Sequence, residues 1–204
     1  MKKNVVIING SPRSGGNSDY LAGSLGADIF KGTTGVAHIF HPFIFQFDPC
    51  GGCENCVKTG ECVLNDDMQK LVEALEVADA LIWISPLYFG GITAQLKAVV
   101  DRFQLIWSRN VLAGKDGGIP NDRSRPALAF YISAKDDPFK TEISSSAALL
   151  SLRYASHTAG FSLVAHHALI GPTKRGDMVK QEFSAQLDEA ISFARDVLLA
   201  EGVL

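Results

Sequence analysis

The run Val5-Val6-Ile7-Ile8, closed at once by Asn9-Gly10 and a Gly/Ser-rich stretch, constrains the fold of this chain more than any other feature. Consecutive apolar, β-branched residues lack the alternation of a half-exposed strand. They match a strand covered on both faces, as in parallel sheets layered between helices. The pattern returns at Ala80-Leu81-Ile82-Trp83-Ile84-Ser85, from Ala127 to Ile132 and from Phe161 to Ile170, with a more broken, aromatic-rich extended segment from Val36 to Phe47 around Pro42. Helical spacing fills the intervals. It is carried by Leu21, Leu25 and Ile29; by Met68, Leu71, Val72 and Leu75; by Leu96, Val99, Val100, Phe103 and Ile106; and by Phe183, Leu187, Ile191 and Ala194 within 178–199. A Ser/Ala/Leu-rich helix is expected to end at Gly160. Strand–helix alternation predicts an α/β fold, a parallel sheet with right-handed crossovers and helices on both faces. No repeat or interdomain linker is visible. The expected organisation is a single domain over 1–204, with a cysteine-bearing loop at 48–66.

Ligands of such sheets bind beyond the carboxyl ends of the strands, where the strand order reverses. After the first strand, Asn9-Gly10-Ser11-Pro12-Arg13-Ser14-Gly15-Gly16-Asn17-Ser18 offers hydroxyls at Ser11, Ser14 and Ser18, an amide at Asn17 and a guanidinium at Arg13. It leads into a helix N-terminus, whose free N–H groups and dipole favour an anion. The loop lacks the Gly-Lys-Ser/Thr of a P-loop and the glycine fingerprint of dinucleotide binding. One phosphate suits this inventory; a capped helix after a flexible turn is the plain alternative. After the third strand, Pro86-Leu87-Tyr88-Phe89-Gly90 offers a stiff turn, flat apolar faces and close backbone approach, apt for a planar ring. Together the two loops suggest a phosphate-tailed planar ligand such as FMN.

All four cysteines fall within a short stretch, as Cys50, Cys53, Cys56 and Cys62, with the spacing C-x2-C-x2-C-x5-C. The first three have the rhythm of bacterial ferredoxin ligation, and four thiolates suit a [4Fe–4S] cluster. Four thiolates equally suit tetrahedral zinc, and reduced free thiols are the third reading. Gly51, Gly52 and Gly60 in the same loop let backbone N–H groups turn toward cluster sulfurs, so the cluster ranks first and zinc last.

Asp and Glu total 22 against 19 Lys and Arg, a net charge of −3. That balance gives no electrostatic reason to expect nucleic acid or an anionic membrane as partner. The apolar run near Met1 is short and ends in Asn-Gly, unlike a signal peptide, and no segment is long enough to span a bilayer. A cytoplasmic location is expected, where clustered cysteines are more often metal-binding or redox-active than disulfide-bonded.

The chain resembles the flavodoxin-like NADPH-dependent FMN reductase superfamily. The resemblance is carried by Gly10-Ser11-Pro12-Arg13 through Asn17-Ser18, Cys62 to Asp66-Asp67-Met68, Ser85-Pro86-Leu87-Tyr88, and Lys97 with Asp101-Arg102. The cysteine spacing resembles its iron–sulfur flavoprotein branch. The resemblance implies a three-layer flavodoxin-like sandwich with a five-stranded parallel sheet in the order 2-1-3-4-5. It implies that Ser11, Arg13, Asn17 and Ser18 bind the FMN phosphate, with Ser14 in the same loop, and that Pro86, Leu87, Tyr88, Phe89 and Gly90 line the isoalloxazine. It further implies a [4Fe–4S] cluster on Cys50, Cys53, Cys56 and Cys62, and a homo-oligomer, dimer or tetramer. The implied function is electron transfer between cluster and FMN to a small-molecule acceptor, with a ferredoxin-like or NAD(P)H donor. A cluster-free NAD(P)H-dependent FMN or quinone reductase is the alternative. The loop after strand four, Ser133-Ala134-Lys135-Asp136-Asp137, lacks the glycine pair common in that family.

The remaining polar residues read as structural. Lys97, Asp101 and Arg102 suggest a solvated or interface ion pair, Asp66 and Asp67 helix caps with Gln69 completing a capping box, and Thr93 another cap. Trp83 and Trp107 read as packing residues, and the five histidines receive no role. Ser108 to Arg125, rich in Gly, Pro and charge, is expected to be a long surface loop with the composition of a lid. No catalytic acid or base is assigned.

Overall fold

The computed structural model describes residues 2–135 and 140–204, with the side chains of 140–145 left out. Strands β1 (Lys3–Asn9), β2 (Gly35–Phe40), β3 (Ala80–Pro86), β4 (Arg125–Ser133) and β5 (Phe161–Ile170) form one parallel sheet in the order β2-β1-β3-β4-β5. The strand–helix alternation read from the sequence and the strand order implied by the resemblance are both present. The order reverses beside β1, between β2 and β3, which makes the carboxyl ends of β1 and β3 the switch point.

Period-two side-chain geometry divides the apolar runs between two cores. Val5, Ile7, Ile82, Ile84, Leu128 and Phe130 face one layer, covered by Leu21 and Leu25 of α1 (Asn17–Asp28) and by Leu187, Ala190, Ala194 and Leu198 of α7 (Gln181–Ala200). Val6, Ile8, Leu81, Trp83, Ala129 and Tyr131 face the other. They meet Leu71 and Leu75 of α3 (Met68–Glu76), Leu96 and Val99 of α4 (Ala94–Arg102), and Leu152 and Ala155 of α6 (Lys140–Thr158). Burial on both faces explains why β1, β3 and β4 read as continuous apolar strings. In the second core the Trp83 indole N–H donates to Ser156 Oγ at 2.9 Å, so the ring packs without an orphaned donor.

The segment 108–125 departs from the expected loop. Its first residues belong to α5 (Gln104–Leu112), which follows α4 after a slight break at Phe103. Ser108 and Asn110 look polar in sequence but are buried. The Asn110 amide donates to Gly118 O at 3.0 Å and to Thr158 O at 2.8 Å, which satisfies it inside the protein. The chain beyond α5 is strapped down as well. Trp107 Nε1 donates to Gly117 O at 2.9 Å, and a Cβ at Gly118 would lie 2.3 Å from the Trp107 ring.

Candidate functional site

The loop after β1 is built around its own side chains. Asn9, fully buried at the strand end, accepts the Ser11 N–H at 3.1 Å, and Ser11 Oγ accepts the Arg13 N–H at 3.2 Å. Asp19, in the first turn of α1, accepts from Asn9 Nδ2 and from the Gly15 N–H, and His41 Nδ1 lies 3.4 Å from it. Gly15 needs its left-handed backbone, φ 64°, to make this turn. The loop is fixed from below by α4. Thr93 caps that helix by accepting the Leu96 N–H at 3.1 Å, and its hydroxyl donates to Gly10 O. Gly10 packs so closely on Leu96 that an added Cβ would come within 2.5 Å.

A cavity of about 240 Å³ opens at this switch point. Ser11, Arg13, Asn17 and Ser18 line it from the first loop, and Pro86, Leu87 and Tyr88 from the second, as the sequence pattern anticipates. The structure therefore brings together seven of the ten residues expected around a flavin. Ser14, Phe89 and Gly90 lie outside the lining. Phe89 and Gly90 form the tip of a tight turn closed by reciprocal 3.0 Å bonds between Tyr88 and Gly91. Both take positive φ, 49° and 74°, and the Phe89 side chain is fully exposed. Of the loop after β4, Ser133 and Ala134 join the lining; Asp136 and Asp137 lie outside the described residues.

The sequence reading missed the fourth wall, the loop after β5. Pro172, Thr173 and Arg175 line the same cavity. Arg13 Nη1 donates to Thr173 O at 3.5 Å and Arg175 Nε to Gly15 O at 3.3 Å, which sets two guanidinium groups beside the first loop. Asn17 fastens the two loops. Its Nδ2 donates to Pro172 O at 2.8 Å and Lys174 O at 2.9 Å, and its Oδ1 accepts the Met178 N–H at 3.2 Å. The signal was available: Gly171-Pro172-Thr173-Lys174-Arg175-Gly176 sits, like the other two loops, at the carboxyl end of a strand. Hydroxyls, two guanidinium groups and a helix N-terminus suit a phosphate, and Pro86, Leu87 and Tyr88 suit an apolar ring. Pockets for small molecules run to roughly 300–1,000 Å³, so a ligand of FMN size would extend beyond this cavity.

The four cysteines line a second cavity, of about 820 Å³, together with Gly51, Gly52, Arg102 and Trp107. All four are free thiols, Cys50 and Cys53 exposed and Cys56 and Cys62 partly covered. Cys56 sits on the short helix α2 (Asn55–Thr59), entered through Glu54 at φ 60° and ended by Gly60 at φ 75°. Among the described residues no three His, Cys, Asp or Glu side chains are grouped as they would be around a single ion. A set of four soft sulfur donors lining one cavity fits an iron–sulfur cluster or zinc in its chemistry.

Arg102 corrects the expectation of a solvated ion pair. Lys97 and Asp101 do pair on the surface, one turn apart. Arg102 points the other way, is 4% exposed and binds the cysteine loop. Its Nη1 donates to Asp66 Oδ2 and to Asp48 O, both at 2.6 Å, and its Nη2 to Asp66 Oδ1 at 3.0 Å and Cys62 Sγ at 3.5 Å. Burial works to raise the Asp66 pKa, but Arg102 and the Met68 and Asp48 N–H groups outweigh it and hold the carboxyl below the ordinary value. Burial likewise works against the Arg102 charge, and Asp66 and Cys62 reverse that. Asp66 still serves as a cap. It accepts the Met68 N–H at 3.1 Å, and Gln69 Oε1 accepts the Asp66 N–H at 3.0 Å.

An iron-sulfur flavoprotein of Archaeoglobus fulgidus is 36% identical over 113 residues, 55% of this chain and 51% of the relative. One from Methanocaldococcus jannaschii is 36% identical over 119 residues, 56% of this chain and 58% of the relative. The chain thus spans little more than half the length of the curated relatives it matches. The crystal structure of an azoreductase from Bacillus anthracis superposes with a TM-score of 0.65 at 13% identity, covering 96% of this chain and 100% of that one, a likeness of fold. The family described as NADPH-dependent FMN reductase matches residues 3–121, which hold the first loop, the cysteines, the β3 turn and Arg102. With that span covering more than half of its length, the chain belongs to the NADPH-dependent FMN reductase family.

Proposed function

We propose that this chain is an FMN-dependent oxidoreductase that passes electrons between a [4Fe–4S] cluster on Cys50, Cys53, Cys56 and Cys62 and FMN, and on to a small-molecule acceptor. One observation carries the reading: all four cysteines line one cavity, and a single helix, α4, is tied at its start to the loop after β1 and at its end to the cysteine loop. Thr93 at the start of α4 holds Gly10, and Arg102 at its end holds Asp48, Asp66 and Cys62. At 1.5 Å per residue the two grips lie roughly 13 Å apart along α4.

In this reading Ser11, Ser18, Arg13 and Arg175 bind the FMN phosphate, Asn17 locks the two phosphate-side loops together, and Pro86, Leu87 and Tyr88 support the ring. Ser14, Phe89 and Gly90 edge the site. FMN exchanges electrons singly or in pairs, and the protein fixes its position and polarity. No acid or base is assigned. The working form is a homo-oligomer in the cytoplasm, dimer or tetramer, that uses a ferredoxin-like or NAD(P)H donor and binds neither nucleic acid nor membrane. No helix among the described residues is long and apolar enough to cross a bilayer.

The second reading is a cluster-free NAD(P)H-dependent FMN or quinone reductase. The family description and the ungrouped thiols favour it. One anaerobic preparation, assayed for iron, sulfide, zinc and FMN and reconstituted where needed, decides between the two. FMN with about four irons and four sulfides per chain supports the cluster flavoprotein. FMN without iron or sulfide after reconstitution selects the simple reductase, and no FMN under any treatment overturns both.

A further inference from the structure

We infer that Arg102 and Ser108, both outside the cysteine loop, are the donors that tune the electron affinity of a cluster held by that loop, acting on Cys62 and Cys56 respectively. The inference rests on the cluster reading above.

Two of the four sulfurs receive hydrogen bonds from the α4–α5 unit. Arg102 Nη2 donates to Cys62 Sγ at 3.5 Å, and Ser108 Oγ donates to Cys56 Sγ at 3.4 Å. Both donors are buried, at 4% and 1% exposure. A buried guanidinium is costly unless it is paired and hydrogen-bonded. Arg102 satisfies that need with the Asp66 carboxylate and Asp48 O, yet still presents Nη2 to the sulfur. Ser108 is the more telling case. A helical serine commonly turns its hydroxyl back to the carbonyl four residues earlier. Here that carbonyl, Gln104 O, accepts from the Cys56 thiol at 4.0 Å instead, and the Ser108 hydroxyl donates to the same sulfur. Gln104 Nε2 donates to Ser108 Oγ at 3.4 Å, so the amide orients the hydroxyl toward Cys56.

Hydrogen bonds to cluster sulfurs and nearby charge are among the determinants of reduction potential. Donors aimed at sulfur stabilise the more negative, reduced state. Arg102 and Ser108 therefore raise the potential, and they act on the two cysteines that the fold partly covers. Cys50 and Cys53, exposed, lie on the solvent side.

The test uses the full chain, reconstituted anaerobically with iron and sulfide, and reads the cluster's midpoint potential by redox titration beside iron and sulfide content. S108A is expected to hold as much iron and sulfide as the wild type and to show a negative shift of about tenfold in the reduction equilibrium, ~59 mV for one electron. S108T, which keeps the hydroxyl, is expected to restore the potential. R102K keeps the charge but loses the fork; it is expected to shift negative too and to lose iron faster in air. S108A carries the test if R102K does not fold. Wild-type potentials in cluster-loaded S108A and R102K would overturn the inference and leave the cluster reading standing. A wild-type chain that takes up no iron and sulfide would overturn the cluster reading first.

Discussion

Arg102 meets Asp66 as a bidentate pair, with Nη1–Oδ2 at 2.6 Å and Nη2–Oδ1 at 3.0 Å, and so pins the end of the cysteine loop to the last turn of α4. The side chains are 3% and 12% exposed, so loss of either partner strands a charge largely out of water. D66N is expected to destabilise the fold by about 3 kcal/mol, the scale for breaking a buried pair from one side. The pH dependence follows from the lowered Asp66 pKa. The ionised carboxylate contributes its full stability above its unfolded pKa of roughly 3.9, and the contribution drains away as pH falls through the lower folded value. Urea unfolding at pH 7 and along an acid series checks both points. Wild type should lose stability toward low pH more steeply than D66N.

The Trp83–Ser156 bond gives a cleaner energetic case, because no charge is involved. S156A leaves the buried indole N–H without a partner and is expected to cost about 1–3 kcal/mol. W83F alone removes the donor together with ring volume. In the double variant the hydrogen-bond penalty disappears, so the two effects should fall short of additivity by about 1 kcal/mol. A four-member urea cycle measures that difference directly.

What was legible in the sequence was what is local. Val5 to Ile8 and Leu81 to Ile84 announce their burial because every residue of the run is apolar, and the switch-point loops follow once the parallel sheet is accepted. The cysteine motif is equally local. What escaped depends on partners far along the chain. Arg102 beside Lys97 and Asp101 has the look of a surface charge, and partners far along the chain, Asp66, 36 residues away, Cys62, 40 away, and Asp48 O, 54 away, make its burial tolerable. Arg175 reaches Gly15 across 160 residues. The end of α5, from Ser108 onward, was hidden for the same reason. Ser108 and Asn110 are polar residues whose partners, Cys56, Gly118 and Thr158, come from other elements.

Thr93 ties the start of α4 to the loop after β1, so its loss should be felt in folding before it is felt in binding. T93A removes an N-cap and the buried bond to Gly10 O, and is expected to destabilise by about 1–2 kcal/mol. T93S keeps the oxygen and should recover most of that. Thermal unfolding of the three proteins decides it. If T93A matched wild type, α4 would not be what holds the loop after β1.

Arg13 and Arg175 make the phosphate assignment testable without knowing donor or acceptor. Both guanidinium groups line the switch-point cavity, one from each of the loops that Asn17 fastens together. Hydrogen bonds to a charged group are worth about 1.5–3 kcal/mol, so R13A and R175A should each weaken FMN binding at least tenfold. Riboflavin has the same ring and no phosphate, so its affinity should change little in either variant. Flavin fluorescence titration with both ligands gives the ratio. A fall confined to FMN fixes the phosphate between the two arginines. An equal fall for both flavins would mean that the arginines only shape the pocket, and the phosphate site would have to be sought elsewhere along the start of α1.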